Sequence, residues 1–211
     1  MTDLSRAALK QACEALGLAP AGAQLALLGR YAGLVRSWNQ KVNLVSRRDA
    51  DRILAYHVLD SLAASTLIPP DSRVADIGSG AGLPGIPLAI CREDVTMFLV
   101  ESIAKKASFL ETAVAELGLP NVKVLHARAE SLEPLGCRVV LSRLTGEPKV
   151  CLDWLLRHCA PSGSIVLWKT PESSVLDPKL LARTGLHVRD VRDVSLPVTR
   201  ITRRLVILSR S

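Results

Sequence analysis

The stretch Asp76-Ile77-Gly78-Ser79-Gly80-Ala81-Gly82 constrains this chain more than any other. It continues from Arg73-Val74-Ala75, which reads as the start of a β-strand, so an apolar strand runs straight into a turn rich in glycine. Glycine has no Cβ and tolerates positive φ, so the chain can reverse sharply there and admit a ligand against its backbone. In an open α/β sheet that crevice, at the carboxyl end of the first strand, is where ligands bind.

The remaining pattern predicts such a sheet. Short apolar runs at 73–78, 95–100, 122–125, 139–141, 165–168, 186–195 and 205–208 read as seven strands. Helical stretches fall between most of them, at about 83–91, 104–117 and 148–159. Strands alternating with helices imply βαβ units and a mostly parallel, doubly wound sheet. Pro197 and a short basic loop leave no room for a helix between the last two strands, which should therefore pair antiparallel. Upstream, residues 3–17, about 22–40 and about 49–67 read as three helices, the third stopped by Pro69-Pro70. In the second, Leu25, Leu28, Ala32, Val35 and Trp38 recur at helical spacing. The expected organisation is a helical extension over residues 1–68 packed on a core over 69–211.

The turn itself selects among nucleotide-like ligands. A dinucleotide fingerprint, G-x-G-x-x-G, fails here because its last position is Leu83. Asp76 is badly placed beside a pyrophosphate but suits an amino group and a sulfonium cation. Pro84 and Pro87 remove N–H donors that a phosphate would need. Glu101 closes the second strand, where a carboxylate can accept both ribose hydroxyls of an adenosine. Glu130, in Ala127-Arg128-Ala129-Glu130 after the third strand, stands where it can hold an adenine edge. Singly, Glu101 or Glu130 reads better as a solvated helix cap. Together with Asp76, Gly78 and Gly80 at successive strand ends, they point to S-adenosylmethionine.

Composition bounds the partners. Aromatic residues make up only 3% of the 211, which argues against a platform of stacked rings for single-stranded nucleic acid. The net charge of +7 suggests a polyanionic partner, although many basic proteins bind none specifically. Five cysteines without a C-x-x-C pair indicate neither a disulfide framework nor a zinc site, and no metal is expected. The amphipathic N-terminus lacks the apolar run of a signal peptide, and no stretch is long enough to span a bilayer. A cytoplasmic protein without membrane association is the expectation.

With those residues in view, the string Asp76 to Ile90, DIGSGAGLPGIPLAI, resembles the signature of the GidB/RsmG family. These are bacterial methyltransferases that modify guanine N7 in 16S ribosomal RNA of the small subunit. The proline-bearing continuation is far more specific than the glycines. Trp38-Asn39 with Asn43-Leu44 resembles the family's W-N-x-x-x-N-L, and His57 with Asp60-Ser61-Leu62 its H-x-x-D-S-L. Lys105, Lys106, Phe109 and Leu110 resemble its basic helix start, residues 127–130 its A-R-A-E, and Ser142-Arg143 its S-R-A. The resemblance runs from about residue 30 to 170 and more weakly to the end. It implies a Rossmann-like class I S-adenosylmethionine-dependent methyltransferase, with cofactor contacts at Gly78, Leu83, Ala129, Glu130 and Arg143. The chain departs from the family at Leu144-Thr145-Gly146-Glu147-Pro148, at Lys169-Thr170-Pro171 and at Ser209-Arg210. The target-base pocket is more affected by these than the cofactor pocket.

Guanine N7 carries an unprotonated lone pair, so transfer there needs orientation rather than a general base. Candidates for holding the guanine are Arg143 and Lys169, near the ends of the fourth and fifth strands, and then His57. His57 also reads as a helix-packing histidine, and Arg143 as a surface ion pair. RNA contact would fall to Arg47, Arg48, Arg52, Lys105, Lys106, Arg200, Arg203 and Arg204, although singly each reads as a solvated charge. The chain is expected to act as a monomer. Two other functions fit the same residues: a methyltransferase of a small molecule or protein, and a non-catalytic nucleic-acid-binding module. A nicotinamide dehydrogenase is a distant third.

Overall fold

The computed structural model describes residues 4–143, 148–173 and 176–210. Seven strands form one sheet: β1 Arg73–Ile77, β2 Thr96–Glu101, β3 Val122–His126, β4 Cys137–Ser142, β5 Cys159–Lys169, β6 Leu186–Ser195 and β7 Thr202–Arg210. Their order is β3-β2-β1-β4-β5-β7-β6. Pairings from β3 through β5 are parallel, and β7 runs antiparallel to both of its neighbours. The order reverses at β1, between β2 and β4. That switch point opens the crevice at the carboxyl end of the sheet.

The helices are α1 Arg6–Ala15, α2 Gly22–Trp38, α3 Leu59–Leu62, α4 Gly85–Cys91, α5 Ala104–Leu117, α6 Pro148–His158 and α7 Pro178–Thr184. Ser5 caps α1 by accepting from Ala8 N–H, and Gln24 reaches back to Ala21 N–H at the start of α2. The apolar stripe of α2 buries Leu25, Leu28, Tyr31, Ala32 and Val35. These join Met97, Leu99, Phe109 and Leu110 in one core on that face of the sheet, which fixes the N-terminal helices against α5 and β2. The opposite face packs Ala75, Val140, Ile165 and Val206 under Leu152 and Leu155 of α6.

Two elements differ from the sequence expectation. The stretch 49–67 is not one helix. It holds turns, a π-helical turn at Leu54–Val58, the short α3 and a 3-10 turn at Ser65–Leu67. The π turn is closed by Leu59 N–H donating to Leu54 C=O, and Ser61 Oγ donates back to His57 C=O. Such wide turns re-aim side chains and recur at functional sites. The second difference is α7, which periodicity did not predict. Its leucines, Leu180 and Leu181, are only partly buried against the core, too short a face to stand out; Asp177 as its cap and Pro178 in its first turn start it.

Candidate functional site

The glycine turn is held from three sides. Gly78 and Ser79 N–H both donate to Val100 C=O, at 2.9 and 3.1 Å, tying the turn to the tip of β2. Gly80 N–H donates to Glu101 Oε2 at 2.9 Å. From the helical layer, buried Tyr31 donates its hydroxyl to Ala81 C=O at 2.7 Å. Gly78, Gly80 and Gly82 all have positive φ, which explains their spacing. Gly85 answers a different need: a Cβ there would lie 2.9 Å from Asp76 Oδ2. Its absence lets the first turn of α4 come close enough for Gly85 N–H to donate to that oxygen, at 2.9 Å.

Asp76 is fully buried, and its Oδ1 has no hydrogen-bond partner. Burial pushes its pKa up to about 7, opposed by the Gly85 N–H and by the positive charge of Arg143 and reinforced by the negative charge of Glu101. An orphaned carboxylate oxygen beneath an open glycine turn is a vacancy in hydrogen bonding that a cationic ligand group would fill.

Glu101 is also buried, and both its oxygens accept backbone N–H groups, Gly80 on one and Ile103 on the other at 2.8 Å. It therefore braces the turn, with lone pairs left over for ribose hydroxyls. Beyond it a cleft of about 140 Å³ is lined by Gly78, Val100, Ser102, Ala129, Glu130 and Trp154. Glu130 pairs with Arg128 at 2.7 Å, which holds its carboxyl below the usual range. Ala129 C=O is 2.9 Å from Nε2 of buried His158, which anchors this corner to α6. Leu83 is buried at the other side of the turn, at a cis bond to Pro84.

Arg143 lies across from Asp76, among residues of the helical layer. Its guanidinium is 3.3 Å from Asp60 Oδ2, 3.4 Å from His57 Nδ1 and 3.5 Å from Ser61 Oγ. Asp60 is fully buried, and its other oxygen accepts from Arg203 Nε at 2.7 Å. Trp168 donates its indole N–H to the Asp60 carbonyl. One buried carboxylate thus joins two guanidinium groups, each about four-fifths covered. The trio carries a net positive charge. Arg143 is therefore not the surface pair that one reading allowed. Burial and the adjoining Arg143 lower the pKa of His57, against the pull of Asp49 and Asp60, so its ring is neutral at pH 7.

The structure thus brings Arg143 and His57 together and sets Asp76, Gly78, Gly80, Leu83, Glu101, Ala129 and Glu130 around the turn and its cleft. Among the described residues, Lys169 joins the group through its carbonyl, 3.4 Å from Arg203 Nη1. Of the cations expected to meet RNA, Arg52 pairs with Asp49, Arg203 with Asp60 and Arg204 with Asp193. Sequence reasoning missed Tyr31, Trp154 and the clamping role of Asp60. Residues 144–147, where the chain departs from the family pattern, lie outside the described residues. Among the described residues no group of three metal-binding side chains occurs, and no helix is long and apolar enough to cross a membrane.

Comparison with known proteins places these features. A family model, GidB, described as rRNA small subunit methyltransferase G, matches residues 24–202. The protein named ribosomal RNA small subunit methyltransferase G from Bordetella petrii is 35% identical over 96% of this chain and 82% of its own length. Those from Aromatoleum aromaticum and Ralstonia nicotianae are 35% and 37% identical, covering 99% and 98% of this chain and 100% and 96% of theirs. Among solved structures, a SAM dependent methyltransferase from Aquifex aeolicus superposes with a TM-score of 0.58 at 19% identity, over 74% of this chain and 91% of its own. M. jannaschii TYW2 in complex with AdoMet gives 0.60 at 14% identity, over 82% and 80%. At these identities the structures share the fold, a Rossmann-like class I methyltransferase.

Proposed function

The chain belongs to the GidB family, and from that premise we propose that it transfers a methyl group from S-adenosylmethionine to N7 of a guanine in 16S ribosomal RNA. The observation that carries the reading is Asp76: a fully buried carboxylate with one oxygen unpartnered, under a turn of glycines at positive φ. A phosphate-bearing ligand would be repelled there, and a cationic nucleoside is drawn in.

The residues present fit that cofactor. Asp76 and the bare backbone of Gly78 and Gly80 would hold its charged end, and Glu101 the ribose. Ala129, Glu130 and Trp154 would border the adenine, with Leu83 and Arg143 closing the opposite side. When bound, it supplies an electrophilic methyl group on a sulfonium.

The chain's own residues then orient the acceptor. N7 presents a lone pair at neutral pH, so no residue has to remove a proton. Arg143, steered by Asp60, would donate to the guanine O6, leaving the N7 lone pair free for the methyl, or to a neighbouring phosphate, with Lys169 as a second cation. Fixing the acceptor in line is worth several kcal/mol of barrier, on the order of the effect of orientation in intramolecular reactions. Arg47, Arg48, Lys105 and Lys106 supply phosphate contacts that set register. Residues 1–68 act in this reading as a helical extension that completes the site on the 69–211 core, in a cytoplasmic monomer.

The test is incubation with labelled S-adenosylmethionine and small subunits from a strain lacking the gene, followed by mapping of the methylated nucleotide. Label at one guanine N7, lost in Arg143→Ala protein that still folds, is the expected result. Label in protein or small molecules with ribosomal RNA inert would overturn it.

A further inference from the structure

The hairpin between β6 and β7 closes at the carboxyl edge of the sheet through residues 196–201. Leu196 N–H donates to Ile201 C=O at 2.8 Å. Inside that loop Thr199 N–H donates to Pro197 C=O at 2.9 Å, across Val198, whose φ is +73°. A bond from residue i+2 back to i across a positive φ is the rare and strained form of γ-turn. A β-branched residue is the worst occupant for it, because its Cβ substituents crowd the backbone in that region. Arg200 also lies at positive φ, +58°. Glycine would take up either conformation with far less strain, and asparagine would at least remove the β-branch that crowds the backbone.

Val198 is at the same time 58% exposed, the most exposed large hydrophobic residue described, with Ile201 at 36% close by. The loop therefore gives up stability to hold an apolar tip out in solvent, which core packing does not require. Strain of this kind persists where function uses it.

The tip is tied to the site. Arg203, two residues beyond Ile201, clamps Asp60, which pairs with Arg143. Arg204, paired with Asp193, sits in register with Lys169 at the end of β5. Arg200 alone of the three arginines here has no ion-pair partner among the described residues, so the apolar tip carries one free cation beside it.

We propose that this tip is an RNA wedge: Val198, backed by Ile201, enters the base stack next to the target guanine while Arg200 holds the adjacent phosphate. The inference rests on the ribosomal RNA reading above and adds the step it needs. A stacked guanine cannot bring N7 to a methyl group seated at the tip of β1, so the base must leave its neighbours. An apolar side chain inserted between bases lowers the cost of that opening. A tip frozen by a γ-turn also loses little conformational freedom on entry.

Val198→Gly and Val198→Asn test this, since both accept positive φ and both remove the apolar body. Each should fold with a Tm equal to the parent or higher by about 2–4 °C, as strain in the turn is released. Each should bind S-adenosylmethionine with unchanged Kd, yet methylate ribosomal RNA with kcat/KM reduced by about tenfold or more. With 2-aminopurine placed beside the mapped guanine, the parent protein should raise its fluorescence and the variants should not. A retained or raised Tm with lost turnover is a pairing that a purely structural role does not produce. Unchanged kcat/KM in both variants, or an undiminished fluorescence rise, overturns the wedge. Parent protein that binds S-adenosylmethionine but leaves ribosomal RNA unmodified overturns the reading beneath it instead.

Discussion

Replacing Asp76 by asparagine should make the ligand-free protein less sensitive to alkaline pH while crippling cofactor binding. A carboxyl held at about 7 in the folded chain, against an ordinary value of 3.8, keeps a proton that the unfolded chain has already released. The folded state therefore binds more protons between those values, and stability falls as pH rises through the window, levelling off above 7. Each pH unit inside it is worth about 1.4 kcal/mol, so the stretch from pH 5 to pH 8 should cost the parent about 2–3 kcal/mol through this one group. Asparagine keeps an acceptor for Gly85 N–H and has nothing to titrate. Urea unfolding of both proteins at pH 5 and pH 8 reads the difference directly, and the parent should lose about 2–3 kcal/mol more than Asp76→Asn. Saturating S-adenosylmethionine should flatten the parent's profile, because a cation beside Oδ1 favours the ionised form. Binding at pH 6, followed by calorimetry in two buffers, should release up to about one proton. Parallel pH profiles for parent and variant would refute the reasoning.

Asp60→Ala leaves Arg143 and Arg203 facing each other without their shared carboxylate. It should destabilise the fold by about 3 kcal/mol in urea titration and abolish methylation, and near-parent activity would count against the clamp. Tyr31→Phe deletes only the bond to Ala81, costing about 1 kcal/mol of stability and weakening S-adenosylmethionine several-fold by calorimetry. Unaltered affinity would show that the turn stands without its helical brace. The methylation rate on ribosomal RNA should drop by about tenfold or more between 50 and 200 mM salt, as counterion release requires, and a flat profile would argue against phosphate contact.

How legible each feature was in the sequence follows from the range over which it is encoded. Strand tips are local: Asp76, Glu101 and residues 127–130 each follow an apolar run, so the crevice and its cofactor could be read before any coordinates. The antiparallel β7 was legible because Pro197 and five further residues cannot hold a crossover helix. Pairings across the chain were not. Asp60 meets Arg203 143 positions away, and nothing in its own helix marks it as buried. Arg203 thus looked like a phosphate contact when its guanidinium faces a carboxylate inside. Helix α7 escaped because 7 residues with two partly buried leucines are too few to leave a periodic trace.

The helical layer is more than a cover for the sheet. Tyr31 of α2 fixes the glycine turn through Ala81, and Asp60 at α3 fixes Arg143, so the two halves of the crevice depend on residues upstream of β1. Asp76 feels both halves, its pKa raised by burial and then by Glu101 and lowered by Arg143. A cation entering over Asp76 ionises it, and the ionised carboxylate then draws on the same Arg143 that Asp60 holds by contacts no shorter than 3.3 Å. Arg143 is thus a guanidinium on which both carboxylates act. On the reading proposed above, cofactor occupancy and the posture of Arg143 should therefore be coupled through charge.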